Sequence, residues 1–83
     1  MADVKIYSKS YCPYCDRAKS LFKSKNVSYE EISVEDDPQL YSDLKNRTGL
    51  MTVPQIFIND KLIGGYTDLK ALDDQGGLDP LLK

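Results

Sequence analysis

Apolar and polar positions alternate from the start of the chain. Val4, Ile6 and Ser8 fall on one face and Lys5, Tyr7 and Lys9 on the other, which predicts a first strand. Pro13 opens a helix running to about Asn26, with Ala18, Leu21 and Phe22 spaced three and four apart along its apolar stripe. A second strand over 28–34 sets Ile32 and Val34 against Glu31, Ser33 and Glu35. Asp37 as N-cap and Pro38 in the first helical position start a second helix. Leu40, Tyr41 and Leu44 mark its core side, and Gly49 ends it. Residues 54–58 read as a third strand rich in β formers. Asn59-Asp60 can adopt the positive φ angles of a tight hairpin, so 61–63 returns as a fourth strand that Gly64-Gly65 breaks. Thr67 or Asp68 caps a last helix through about Gln75, terminated by Gly76-Gly77, and Asp79-Pro80 begins a short turn that packs Leu81 and Leu82. The order is β-α-β-α-β-β-α. A helical crossover makes the first two strands parallel and the hairpin makes the last two antiparallel, giving an α/β sandwich with a mixed sheet.

Eighty-three residues make one domain over 1–83, with no internal repeat and no linker. A chain this short buries only roughly 60% of its unfolded surface, so its core is thin. Eleven basic against thirteen acidic residues leave a net charge of −2, which argues against a nucleic-acid partner. Charge is uneven: residues 1–29 hold six basic and two acidic residues, residues 30–83 five basic and eleven acidic. The basic part carries both cysteines. No apolar run approaches the roughly 20 residues of a membrane span, and the N-terminal stretch lacks a signal-peptide layout. A cytoplasmic protein is the default expectation. With two cysteines and no histidine, a closed structural zinc site lacks ligands and no metal is expected.

Cys12-Pro13-Tyr14-Cys15 stands where the first strand hands over to the first helix. A CxxC in a βαβ setting points to thiol–disulfide exchange. With Pro13 in the first helical position, Cys12 becomes the N-cap, its sulfur facing unpaired amides and the positive end of the helix dipole. Such sites lower a cysteine pKa from about 8.5 into the range of roughly 3.5 to 7.5. A fall of three units is roughly 4 kcal/mol of preferential anion stabilisation. Lys9 is a further cation nearby, and Asp16 opposes it from the first turn, where solvent screens it. Cys15 lies three residues before Ala18 and seven before Phe22, on the buried stripe. The pair is therefore asymmetric: Cys12 attacks and Cys15 resolves. Two ordinary cysteines, one exposed and one in the core, or a half zinc site completed by a second chain, are the plainer alternatives.

Three motifs in order, Cys-Pro-Tyr-Cys at 12–15, Thr-Val-Pro at 52–54 before Gln-Ile-Phe-Ile, and Gly-Gly at 64–65 before Tyr-Thr-Asp-Leu, make the chain resemble a glutaredoxin over nearly its whole length. The closing Gly-Gly-Leu-Asp-Pro-Leu-Leu is similar to small bacterial members. The resemblance implies a thioredoxin-like fold, a four-stranded mixed sheet flanked by helices, and glutathione as co-substrate without a tightly bound cofactor. It also implies a cis Pro54 opposite the nucleophile. Val53, extended before that proline, would pair with the tripeptide like an added strand. Thr52, Val53 and Pro54 would form one wall. The amides at Thr67 and Asp68 would hold the γ-glutamyl carboxylate and Asp68 the ammonium. Lys9 and Arg47 match positions at or near the glycine-end carboxylate, and Tyr14 would pack beside the peptide. The chain departs from the family pattern at Leu50-Met51, at Thr67 and at Tyr66.

The implied activity is reduction of glutathione mixed disulfides and protein disulfides by a monomer. Electrons would arrive from glutathione reductase through glutathione, and ribonucleotide reductase is one conceivable protein substrate. Two alternatives stand beside it. A redoxin reduced by thioredoxin reductase shares this fold, and the electron donor separates the two. A carrier of an iron–sulfur cluster, bridged in a dimer by Cys12 and two glutathiones, would show visible absorbance on reconstitution.

Overall fold

In the computed structural model, which describes residues 2–82, β1 (Val4–Ser8) is an inner strand of a four-stranded sheet. The end residues of the expected 1–83 domain lie outside the described residues. Helix α1 (Pro13–Ser24) leads to β2 (Glu30–Ser33), which pairs with β1 in parallel. Helix α2 (Pro38–Thr48) follows, then β3 (Gln55–Ile58), antiparallel to β1, and β4 (Lys61–Gly64), antiparallel to β3. The sheet order is β2-β1-β3-β4, and α3 (Tyr66–Asp74) and a short α4 (Leu78–Leu81) close the described chain.

The alternation in β1 is realised as buried Val4, Ile6 and Ser8 against half-buried Lys5 and Tyr7. Val4 and Ile6 join Ile56 and Ile58 of β3, Ala18 and Phe22 of α1, Leu69 of α3 and Leu78 of α4 in one core cluster. Truncating a sealed ring such as Phe22 to alanine costs about 3–5 kcal/mol, large for a chain with so few buried side chains. On the other face of the sheet, the hydroxyl of Thr48 in α2 donates to Gln55 Oε1 of β3 at 2.9 Å. The core therefore fixes α1 and α3 on one side of β1 and β3, so both helix N-termini are held at fixed places relative to the sheet. Among the described residues no helix is long and apolar enough to cross a membrane.

Several boundaries differ from expectation. Helix α1 stops at Ser24, before Asn26, because Asn26 turns left-handed at φ 58° and the amides of Lys25, Asn26 and Val27 fold back onto Phe22 and Lys23 carbonyls. Strand β2 is shorter than 28–34, although buried Val34 still donates its N–H to the Ser8 carbonyl at 2.9 Å. Leu44 alone is buried on α2, with Leu40 and Tyr41 half-buried. Pro54 has no N–H to give the ladder, so β3 begins at Gln55. Helix α3 starts at Tyr66 with Gly65 as N-cap, so Thr67 and Asp68 lie inside its first turn and neither is the N-cap residue, although the Asp68 carboxylate accepts the Gly65 N–H. The final turn begins at Leu78, before Asp79, because Leu78 is an anchor of the core. Lys25 Nζ reaches Asp73 and Asp79 at 2.8 Å each, tying α1 to α3 and α4, and hydrogen bonds to these carboxylates raise its pKa. Asp37 as N-cap, left-handed Gly49 at φ 78° and the Asn59-Asp60 hairpin, at φ 52° and 66°, match the sequence reading.

Candidate active site

Proline at the first helical position leaves the preceding residue extended, and Cys12 takes that role at φ −112° and ψ 98°. Its Sγ accepts the N–H of Cys15 at 3.1 Å, one of the amides that a helix start leaves without an intrahelical partner. The two cysteines form a disulfide. Their surroundings differ as the helical stripe requires: Cys15 is 0% exposed, while Cys12 is half-buried.

Asp16, the acid in the first turn, is not left free to oppose a sulfur anion. Lys19 Nζ lies 3.4 Å from Asp16 and 2.9 Å from Glu31, and Glu31 also accepts the buried Ser8 hydroxyl at 2.8 Å. The Lys19 hydrogen bond, then that of Ser8, holds the Glu31 carboxyl below its usual range, while burial pulls the other way. The Glu31 carboxylate in turn raises Lys19.

Facing the sulfur is the segment before β3. The Val53–Pro54 peptide bond is cis, and the Val53 carbonyl oxygen lies 3.9 Å from Cys12 Sγ. Val53 precedes the strand and takes no part in the ladder. Its loop is held from behind by side chains. Gln55, 0% exposed, donates from Nε2 to the carbonyls of Leu50 at 3.0 Å and Thr52 at 3.1 Å, and Tyr41 donates its hydroxyl to the Met51 carbonyl at 3.1 Å. Three successive carbonyls of the loop are thus tied down by side chains. The strand pattern does not mark Gln55 as an anchor, and a lone amide directly before the apolar run Ile56-Phe57-Ile58 is its only signal in the sequence.

The third wall is the start of α3. Asp68 Oδ2 accepts the Gly65 N–H at 3.1 Å, reaching back across the first turn. Gly64 sits at φ 119°, and a Cβ there would collide with the Asp68 carboxylate. The glycine pair therefore does more than break a strand: it lets the acid fold over the turn.

The segment before β3 and the start of α3, with Tyr14 of α1, line a cleft of about 270 Å³. Of the expected binding residues, Tyr14, Thr52, Val53, Pro54, Thr67 and Asp68 line it, joined by Leu50, Gly65 and Tyr66. Lys9 and Arg47 do not line it. Lys9 is exposed just beyond β1, whereas Arg47 lines a separate depression of about 440 Å³ with Lys5 and Tyr7, its guanidinium 5.3 Å over the Phe57 ring. Tyr66 stacks on Tyr14 at 6.0 Å and 17°, and the Arg17 guanidinium lies 5.1 Å from the Tyr14 ring. The half-buried Cys12 sulfur thus lies against Val53, a residue outside the ladder that lines the cleft together with the start of α3, while Cys12 itself is not part of the lining. Chemically, that set can exchange disulfides and hold a short peptide beside the exchange.

Comparison with known proteins agrees. The family model described as glutaredoxin matches residues 4–63. Glutaredoxin 3 of Escherichia coli K12 is 53% identical over 83 residues, covering 100% of both chains. Among solved structures, the buckwheat glutaredoxin–glutathione complex superposes with a TM-score of 0.93 at 33% identity, over 98% of this chain and 76% of that one. The glutaredoxin of Brucella melitensis superposes with a TM-score of 0.89 at 47% identity, over 100% of this chain and 90% of that one. The fold is thioredoxin-like, with the mixed sheet flanked by helices.

Proposed function

The chain belongs to the glutaredoxin family of thiol–disulfide oxidoreductases, and from that premise we propose that it works with glutathione, Cys12 attacking and Cys15 resolving. The observation that carries the assignment of roles is the contrast within the pair: Cys12 Sγ takes a helix-start amide at 3.1 Å and is half-buried, while Cys15 is 0% exposed. Sulfur that accepts an amide at the positive end of a helix favours the thiolate, and the thiolate is the nucleophile.

The Cys12 thiolate attacks the glutathione sulfur of a mixed disulfide. The substrate's S–S bond breaks, its thiolate leaves and takes a proton, and Cys12 becomes glutathionylated. A second glutathione thiolate attacks the glutathione sulfur of that adduct, forming glutathione disulfide and returning Cys12 as a thiolate. Net, one mixed disulfide and one glutathione give one free thiol and one glutathione disulfide. With a protein disulfide, Cys12 first forms a mixed disulfide with the substrate. Cys15 then displaces the substrate as its dithiol and leaves the Cys12–Cys15 disulfide, which two glutathiones reduce.

In this reading the tripeptide lies in the cleft of about 270 Å³. The Val53 backbone pairs with its cysteine residue, and the Thr67 and Asp68 amides take the γ-glutamyl carboxylate. Asp68 takes the ammonium, and Lys9, outside the lining, serves the glycine end by field and not by contact. Arg47, over the Phe57 ring in the other depression, stands outside the lining as Lys9 does and belongs with it to the glycine end. The unit is a monomeric domain over 1–83 acting in the cytoplasm. Its substrates are glutathionylated and disulfide-bearing proteins, ribonucleotide reductase among the candidates, and glutathione reductase restores the donor. In an assay of glutathione removal from a small mixed disulfide, Cys12→Ser is expected to be inactive and Cys15→Ser to keep much of the activity. The reverse ranking refutes the roles.

A further inference from the structure

Tyr11 is at odds with the economy of the rest of the chain. Among the described residues four that are not glycine adopt a left-handed backbone: Tyr11 at φ 56°, Asn26, Asn59 and Asp60. The last three are of the types whose short polar side chains tolerate that conformation, whereas a bulky aromatic is a genuine outlier. The ring recovers nothing by packing, because Tyr11 is 101% exposed. Among the described residues it makes no aromatic pair, cation contact or side-chain hydrogen bond. Folding therefore explains neither its backbone nor its side chain, and Asn or Gly would serve the turn better.

Its position suggests another role. Tyr11 is bonded to Cys12, whose sulfur lies 3.9 Å from the Val53 oxygen. Two residues before Val53 is Met51, 65% exposed, with its backbone fixed by the Tyr41 hydroxyl. Of the four large apolar side chains exposed among the described residues, Tyr11, Tyr14 and Met51 belong to the two segments that meet at this sulfur, and Leu62 lies elsewhere. Tyr14 lines the tripeptide cleft, but Tyr11 and Met51 do not. A ligand of tripeptide size in that cleft leaves both untouched. A protein that brings its own sulfur to Cys12 must cover the residues beside it. Aromatic residues and methionine, exposed singly and held on fixed backbone, are the types enriched in such contacts.

We infer that Tyr11, with Met51, is a docking element for protein substrates, selecting glutathionylated or disulfide-bearing segments with apolar residues beside the reacting cysteine over small mixed disulfides. The inference rests on the exchange activity proposed for Cys12. The probes are two ten-residue peptides, each with one glutathionylated cysteine, flanked by Leu and Phe in one and by Gly and Ser in the other. The unaltered enzyme is expected to favour the apolar peptide about tenfold in kcat/KM. Tyr11→Asn, which suits the left-handed turn, should lose about five- to tenfold on the apolar peptide through KM and keep its rate on the Gly/Ser peptide. Tyr11→Phe should retain the preference, and Met51→Ser should lose part of it. The thermal midpoint of Tyr11→Asn should not fall, which separates docking from a folding role. Absence of a preference in the unaltered enzyme, or an equal effect of Tyr11→Asn on both peptides, overturns the docking role while leaving the exchange reaction in place. Inactivity of the unaltered enzyme on both peptides removes the exchange reading and the docking role with it.

Discussion

Replacing Gln55 by leucine tests whether the wall opposite the sulfur is built from behind. The amide is 0% exposed and makes three hydrogen bonds, accepting from Thr48 at 2.9 Å and donating to the carbonyls of Leu50 at 3.0 Å and Thr52 at 3.1 Å. Each is worth about 0.5–1.5 kcal/mol net, and a carbonyl left unpaired where water cannot reach costs about 1–3 kcal/mol. Thr52 is exposed and can rehydrate its carbonyl, whereas Leu50 is half-buried and rehydrates less well. Leucine returns some apolar burial, which offsets part of the loss. The sum is about 2–3 kcal/mol. For a domain of this size it lowers the melting temperature by roughly 10–20 °C. The same change releases two of the three carbonyls that hold the loop before Pro54, so KM for glutathione should rise severalfold while Cys12 alkylation in the reduced protein is unchanged. Thermal unfolding followed by circular dichroism, with steady-state kinetics at a temperature where the variant is folded, reads both effects. A shift in stability below about 0.5 kcal/mol, or an unchanged KM with the stability lost, would refute the reasoning.

Other outcomes follow from the same contacts. Asp68→Asn keeps an oxygen for the Gly65 amide, at 3.1 Å in the unaltered chain, but loses the charge. KM for glutathione should rise about fivefold or more, the equivalent of roughly 1 kcal/mol, with melting temperature nearly unchanged; an unchanged KM removes Asp68 from the ammonium site. Glu31 is held below its ordinary value of 4.5, first by Lys19 and then by Ser8. A carboxyl lowered in the folded state adds stability that is present above the unfolded value and disappears as pH falls through the folded one. Urea unfolding of the unaltered chain and Glu31→Gln should therefore differ at pH 7, with the gap shrinking only as pH falls below the ordinary value of 4.5, and a gap that stays constant until acid unfolds the chain contradicts this.

Most of the architecture was legible because local rules agree with tertiary packing. The alternation of Val4, Ile6 and Ser8, Asp37 before Pro38, left-handed Gly49 and the Asn59-Asp60 hairpin each have one economical solution, and the chain takes it. The same holds for Cys12, since Pro13 leaves it no other place than the N-cap. What was not legible depends on partners distant in sequence. Gly65 caps α3 because Asp68 can fold back over Gly64, a matter of space that propensity does not encode, since Thr67 and Asp68 are the better capping types. Leu78 is sealed by the core cluster it shares with Ile6 and Phe22, contacts that lie far apart along the chain. The resemblance sets Arg47 at or near the glycine-end carboxylate, and its place over Phe57 follows from how α2 lies on the sheet. Tyr66 differs from the family pattern, and the structure stacks it on Tyr14 at 6.0 Å, making one wall of the cleft aromatic.

The central claim is that the sulfur of Cys12 is an anion at neutral pH because the start of α1 stabilises it. The most direct measurement is the rate of Cys12 alkylation by iodoacetamide against pH in the reduced protein, with Cys15→Ser as a control for the second thiol. A midpoint below about 7.5 is expected, inside the range found for cysteines at helix starts. A midpoint near 8.5, the value of a thiol free in water, would contradict it.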